Sequence, residues 1–219
     1  HDALPISPTE DTTVGTGVRM IAHSLGHKLV LKDDGTVWAM GVNDRGQLGL
    51  GYETGWQVPY DQPPYTYMMN LQSLGSDNYA VYALHRSSLV LKQSGAVWSF
   101  GDNDGGQLGI GVSSGTRTTP VEVIGVGSDN IMLSDGFFHV LALKASGEVW
   151  GWGTNDAGQL GIGNTANQHS PVHIDSLGTD NVAVISGHTF SSVLKQSGAA
   201  WIWGDNSYGQ LGIGWQAYI

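Results

Sequence analysis

Eight histidines are the first residues to weigh, because imidazole both ligates metals and carries protons near neutral pH. His169-x-x-x-His173 has the separation that, on a helix, aims two ligands at one zinc ion. Pro171 stands between them and argues for extended chain, where positions four apart lie roughly 13 Å from each other. His27 and His139 share one position of a sequence repeat, but the other copies carry Ser87 and Phe190 there. A converging ligand set is therefore not expected; histidines whose ring nitrogens bond backbone groups at a junction are. Asp102-Asn103-Asp104-Gly105-Gly106 opens like a calcium loop, yet the twelfth position, which needs a bidentate acid, is Ser113. No metal and no other cofactor is expected.

The remaining chemistry is thin. The chain has no Cys, which removes thiolate nucleophiles, cysteine zinc sites and disulfides but leaves the redox compartment open. No nucleophile elbow, phosphate-cradling Lys loop, dinucleotide fingerprint or paired-carboxylate cleft is visible, so an enzyme is not expected. Nine Lys and Arg against nineteen Asp and Glu give a formal charge of −10. Counterion release from a phosphate backbone has little to work with, and nucleic acid is not an expected partner. No apolar run approaches the ~18 residues that span a bilayer.

The strongest contact candidates are aromatic. Tyr52 to Met69 forms the longest connection between repeats and holds five of the twenty aromatics. Tyr, Trp and Met in a Pro-stiffened loop supply rigid amphipathic contact area. Trp56, Tyr60, Tyr65 and Tyr67 are the predicted binding residues for a protein partner.

These residues hang on a repeat. Gly46-Gln47-Leu48-Gly49 recurs at Gly106, Gly158 and Gly209, offsets of 60, 52 and 51 residues, and the same offsets carry Trp38, Lys32 and Asn43 into every copy. A period of 50 to 60 is the size of one supersecondary unit that buries its face against its neighbours. Within a unit, Leu89-Val90-Leu91-Lys92 and Ala96-Val97-Trp98-Ser99-Phe100 flank Ser94-Gly95; a hairpin follows, with Gly95 and Gly147 at positive φ in two-residue turns. Pro120 to Val123, Pro171 to Ile174, Asp129 to Leu133 and Asp180 to Ile185 supply further short strands. The expected fold is all-β, a β-propeller of four-stranded antiparallel blades in four repeats, with no long helix.

The run His27-x-Leu-x-Leu-Lys-x-Asp-Gly-x-Val-Trp-x-x-Gly-x-Asn-x-x-Gly-Gln-Leu-Gly49 resembles the repeat of the regulator of chromosome condensation family over about residues 18 to 214. The resemblance implies a seven-bladed ring, of which four repeats form an arc. Leu4-Pro5-Ile6 could instead lend the strand that closes a four-bladed ring, although His1 to Ser7 resembles a translated sequencing adapter. Residues 1–17 are thus read as a leading segment and 18–219 as repeats at about 18–70, 71–123, 124–174 and 175–219. The family includes an exchange factor for the small GTPase Ran and a secreted bacterial inhibitor of beta-lactamases. The resemblance implies a non-enzymatic interaction scaffold. The Gly-Ser-Asp-Asn linkers resemble those of bacterial surface or secreted proteins, and the open ends imply self-association. Guanine nucleotide exchange on a small GTPase and a carbohydrate-active propeller are the alternatives.

Overall fold

The computed structural model describes residues 11–54 and 67–214. Trp56, Tyr60 and Tyr65 of the predicted binding set, and the Leu4-Pro5-Ile6 strand, lie outside them. No helix among the described residues is long and apolar enough to cross a membrane.

Alternating short apolar runs and glycine turns fold as expected, into antiparallel sheets. The first sheet holds β1 (Val18–His23), β2 (His27–Lys32), β3 (Val37–Gly41) and β4 (Met69–Asn70) in sequential order. The second holds β5 (Asn78–Ala83), β6 (Ser87–Lys92), β7 (Val97–Asp102) and β8 (Thr116–Glu122), and the third β9 (Asn130–Asp135), β10 (His139–Lys144), β11 (Val149–Gly153) and β12 (Gln168–His173). The fourth comprises β13 (Asn181–Ser186), β14 (Phe190–Lys195) and β15 (Ala200–Gly204), three strands among the described residues. Each sheet is one propeller blade.

Gly95 and Gly147 have φ of 83° and 84°, the left-handed region that glycine enters without steric cost. The turn is longer than the two-residue loop expected. Gly95 N–H donates to Lys92 O at 3.0 Å and Lys92 N–H to Ala96 O at 2.8 Å, a three-residue loop whose glycine closes a bulge. Single 3-10 turns at Gln72–Leu74, Ile124–Val126 and Asp175–Leu177 join the blades. The sequence hid them, because one turn carries no period to detect. Each buries one apolar residue (Leu74, Val126, Leu177) between neighbouring blades.

The core lies between the sheets. Leu89, Leu91 and Val97 of the second blade meet Val140, Ala142 and Trp152 of the third, and equivalent clusters fill the joints before and after. First strands contact first strands (β1 with β5, β5 with β9, β9 with β13), so these four lie nearest the axis. The turns after them, residues 24–26, 84–86, 136–138 and 187–189, gather at one end of the axis.

Candidate functional site

The residues that repeat most faithfully build blades. Lys92 Nζ donates to Leu74 O and lies 2.7 Å from Asp77 Oδ1; Lys144 and Lys195 do the same with Val126 O and Asp129, and with Leu177 O and Asp180. The lysine hydrogen bond holds each of Asp77 and Asp180 below the usual carboxylate range. The same ammonium groups sit over Trp98, Trp150 and Trp201. Asn103 donates to Val112 O at 2.8 Å and accepts from Leu108 N–H at 3.0 Å, pinning the glycine loop from within, and Asn43, Asn155 and Asn206 do likewise.

Two histidines close blade joints. His27 Nε2 lies 2.9 Å from Ser88 Oγ of the next blade, and Ser88 donates to Gln47 O at 2.8 Å. His139 repeats this with Ser191, which donates to Gln159 O at 2.7 Å. A hydroxyl has one proton, and here it goes to the carbonyl, so the imidazole donates from Nε2. This corrects the sequence expectation: the ring bonds a serine, which relays to backbone. Each Nδ1 is buried and has no partner among the described residues. A proton there would be an unpaired buried charge, and burial lowers both histidines to about 4.

The other sequence candidates do not converge. His169 and His173 lie on β12 with Pro171 between, and His173 Nδ1 pairs with Asp175. Asp102 accepts from Gln107 Nε2 at 3.0 Å within the glycine loop; burial, and next the charge of Asp104, raise its pKa. Tyr67, the predicted binding residue inside the described chain, is 62% exposed. Both anchors of the long connection lie at the turn end of the first blade: Thr54 N–H donates to Asn43 O at 3.0 Å, and Met69 stands opposite Ala39.

A constellation that single-residue scanning missed lies at the axis end. Leu25, His85, Phe137 and His188 share one repeat position, at the same offsets of 60, 52 and 51 as the glycine loop. His85 and Phe137 stack with centroids 4.2 Å apart, and Phe137 and His188 also at 4.2 Å, so one column of rings crosses three blades. Phe138 packs edge-on to both His85 and Phe137. Leu25 continues the position at 83% exposure. Beside the column is a cleft of about 320 Å³ lined by Arg45, Arg86, Asp102, Asp104, His85 and Phe138. Its charges are loosely paired: Arg45 to Asp104 at 3.9 Å and Arg86 to Asp44 at 3.8 Å. Such a surface, apolar and flanked by both signs of charge, suits macromolecular contact. Aligning the repeats position by position would have found it, because the signal is a column of large side chains where the repeat has no fixed residue.

A family model described as the regulator of chromosome condensation (RCC1) repeat matches residues 34–74, 94–143 and 146–194. Over 222 residues the chain is 29% identical to the ultraviolet-B receptor UVR8 of Arabidopsis thaliana, covering 96% of this chain and 48% of the receptor. Over 223 residues it is 30% identical to the secretion-regulating guanine nucleotide exchange factor of Bos taurus, covering 96% and 46%. Human WBSCR16 superposes with a TM-score of 0.75 at 26% identity, over 85% of this chain and 47% of that one. Prp20p of Saccharomyces cerevisiae gives 0.77 at 20% identity, over 92% and 48%, a likeness of fold. The chain spans about half the length of these relatives. With its repeat matched across three stretches that together make up more than half of the sequence, the chain belongs to the regulator of chromosome condensation repeat family.

Proposed function

We propose that the protein is a non-enzymatic protein-interaction scaffold whose partner face is the axis end carrying Leu25, His85, Phe137 and His188. The observation that supports this is the division of labour among side chains. The invariant Lys, Trp and Asn are consumed in holding blades together, whereas the ring column crosses three blades unconstrained by the repeat. Aromatic anchors beside polar rims are where interface energy concentrates. Tyr67 is exposed beside Met69, at that end of the first blade, and is proposed as a partner contact together with Trp56, Tyr60 and Tyr65, which stay in the proposal on their sequence alone.

Immobilised chain and its Phe137→Ala and Ile124→Ala variants, compared for partners retained from cells of the source organism, test this reading. Ile124 is exposed on the 3-10 turn at the opposite end. Phe137→Ala should weaken the partner at least ~10-fold and Ile124→Ala should not; equal retention by both defeats the proposal. Guanine nucleotide exchange is the second reading, suggested by the name of the bovine relative and by Prp20p, described with binding to Gsp1p and histones. Accelerated release of fluorescent GDP from a panel of small GTPases would establish it. The two relatives and the yeast structure come from eukaryotes and lend no support to the bacterial, secreted setting expected from the linkers.

A further inference from the structure

The cleft beside the ring column holds a carboxylate with one oxygen unserved. Asp102 lines the cleft and is only 4% exposed. Its Oδ2 accepts from Gln107 Nε2, but its Oδ1 is buried and has no hydrogen-bond partner among the described residues. An oxygen left in that state keeps the desolvation cost of a charge with nothing to offset it.

The fourth blade shows what is missing. Asp205 stands at the same repeat position and is satisfied from within. The backbone N–H and the hydroxyl of Ser207 donate to its Oδ1, and Thr189 Oγ1 and Gln210 Nε2 donate to its Oδ2. These bonds, the Ser207 hydroxyl first, hold Asp205 below the usual carboxylate range. In the second blade Asp104 replaces Ser207, and Arg86 replaces Thr189. A second carboxylate stands where the donor hydroxyl stood, and burial together with that charge pushes Asp102 the other way.

The cations of the chain do not fill the gap. Arg45 faces Asp104 and Arg86 faces Asp44, which leaves Asp102 as the carboxylate of the three without an ion-pair partner among the described residues. All nine Lys and Arg fall within the described residues, and the other seven are engaged elsewhere. Lys92, Lys144 and Lys195 bind in the blade joints, Lys28 pairs with Asp11, and Lys32, Arg19 and Arg117 donate to Val14 O, Tyr79 O and Thr116 O. The 52–69 connection contains no Lys or Arg. A cationic donor for Asp102 therefore comes from another molecule.

The walls of the cleft select its shape. Phe138 and His85 both line it, and a planar guanidinium stacks on an aromatic face while its fork of N–H groups reaches a carboxylate at its edge. Burial, and next the charge of Arg86, lower the pKa of His85, so its ring is neutral at pH 7 and does not repel a cation.

We infer that the cleft receives an arginine side chain of the protein partner, its guanidinium donating to Asp102 Oδ1 and stacked against Phe138. The inference rests on the partner face proposed above and names the group which that face reads.

The test titrates N-acetyl-arginine amide, and its lysine, citrulline and glutamate counterparts, into the full chain, following the backbone amide resonances of Gly105 and Phe138. The arginine compound should saturate with a Kd of about 1–10 mM, and the lysine compound should bind at least ~3-fold more weakly. Citrulline, which keeps the shape without the charge, and glutamate should not saturate. Asp102→Asn keeps an acceptor for Gln107 and should weaken the arginine compound at least ~5-fold without lowering the melting temperature. The pair Arg86→Thr and Asp104→Ser leaves the net charge unchanged, restores the internal donors of the fourth blade and should abolish binding. Saturation by citrulline or by glutamate, equal affinity in Asp102→Asn, or no saturation by the arginine compound below ~50 mM overturns the inference. Retention of the partner separates it from the reading beneath it. If Phe137→Ala releases the partner and Asp102→Asn does not, the face stands and the arginine falls. If the arginine compound saturates the parent chain while Phe137→Ala keeps the partner, the face falls and the cleft stays a guanidinium site.

Discussion

The third and fourth blades share a sequence pattern and differ in what lies beyond them. Leu143 and Val149 face the fourth blade and are sealed from solvent, while Leu194 and Ala200, at the same repeat positions, are exposed. Gly147 and Gly198 have nearly the same φ, 84° and 86°. A Cβ on Gly147 would lie 1.9 Å from Thr179 O of the next blade, whereas one on Gly198 would meet none of the described residues within 4 Å. One residue in one conformation is thus a spacer between sheets in one blade and only a turn in the other.

The largest separation should come from that glycine pair. Gly147→Val drives a side chain into a neighbouring backbone and should cost more than ~4 kcal/mol by denaturant unfolding, against ~1–2 kcal/mol for Gly198→Val from its positive φ alone. Gly95, whose added Cβ would lie 2.5 Å from Asp129 N, should side with Gly147. Equal losses at 147 and 198 would mean that the turn, not the joint, sets the requirement.

Leucine truncation sharpens the contrast. Leu143→Ala should cost ~3–4 kcal/mol and Leu194→Ala ~1 kcal/mol or less, since a cavity forms where a neighbour surrounds the site. A similar cost at both would show that the fourth blade's open side is covered.

Acid separates the joints from one another. His27 and His139 titrate near 6.5 when unfolded and at about 4 when folded. The unfolded chain therefore binds more protons in between, so their contribution is full above pH ~7, falls from 6.5 to 4 and is flat below. Asp135, raised by burial from 3.8 to about 6, acts oppositely: its contribution is full below 3.8 and lost as pH rises towards 6. Two groups against one leave a net loss of a few kcal/mol on acidification. Hydrogen exchange at pH 5 against pH 7, corrected for intrinsic rates, should loosen the first-to-second and third-to-fourth joints. The second-to-third joint, with Ser87 at the histidine position, should stay protected, and uniform loosening would reject the histidine account.

The smallest effect concerns one proton. Trp152→Phe leaves Gln107 O without a donor, because Val140 stands where the serine would be, and should cost ~1–3 kcal/mol. Trp203→Phe leaves Gln159 O bonded to Ser191 and should cost ~1 kcal/mol or less. Thermal melts of both would expose any other role for the indoles.

Much of this was legible in the chain. Hairpin turns, short strands, the glycine loop and the four-unit register follow from contacts within about fifty residues of sequence, where spacing is a direct readout of geometry. Lys92, Trp98 and Asn103 were visible as repeating residues, and the structure supplied their duties. The 3-10 turns and the three-residue hairpin loops were not legible, because a single turn leaves no period.

By itself, then, the sequence determined the unit: which residues form strands, where glycine must turn, and that the unit recurs four times. The tertiary structure alone decided what each unit meets. Whether His85, Phe137 and His188 stack, whether Ser88 or Trp152 serves the neighbouring loop, and whether a leucine at one repeat position is sealed or bare depend on the residue across the joint. Burial and hydrogen-bond satisfaction are properties of pairs of surfaces, and the pairing forms only when the blades assemble.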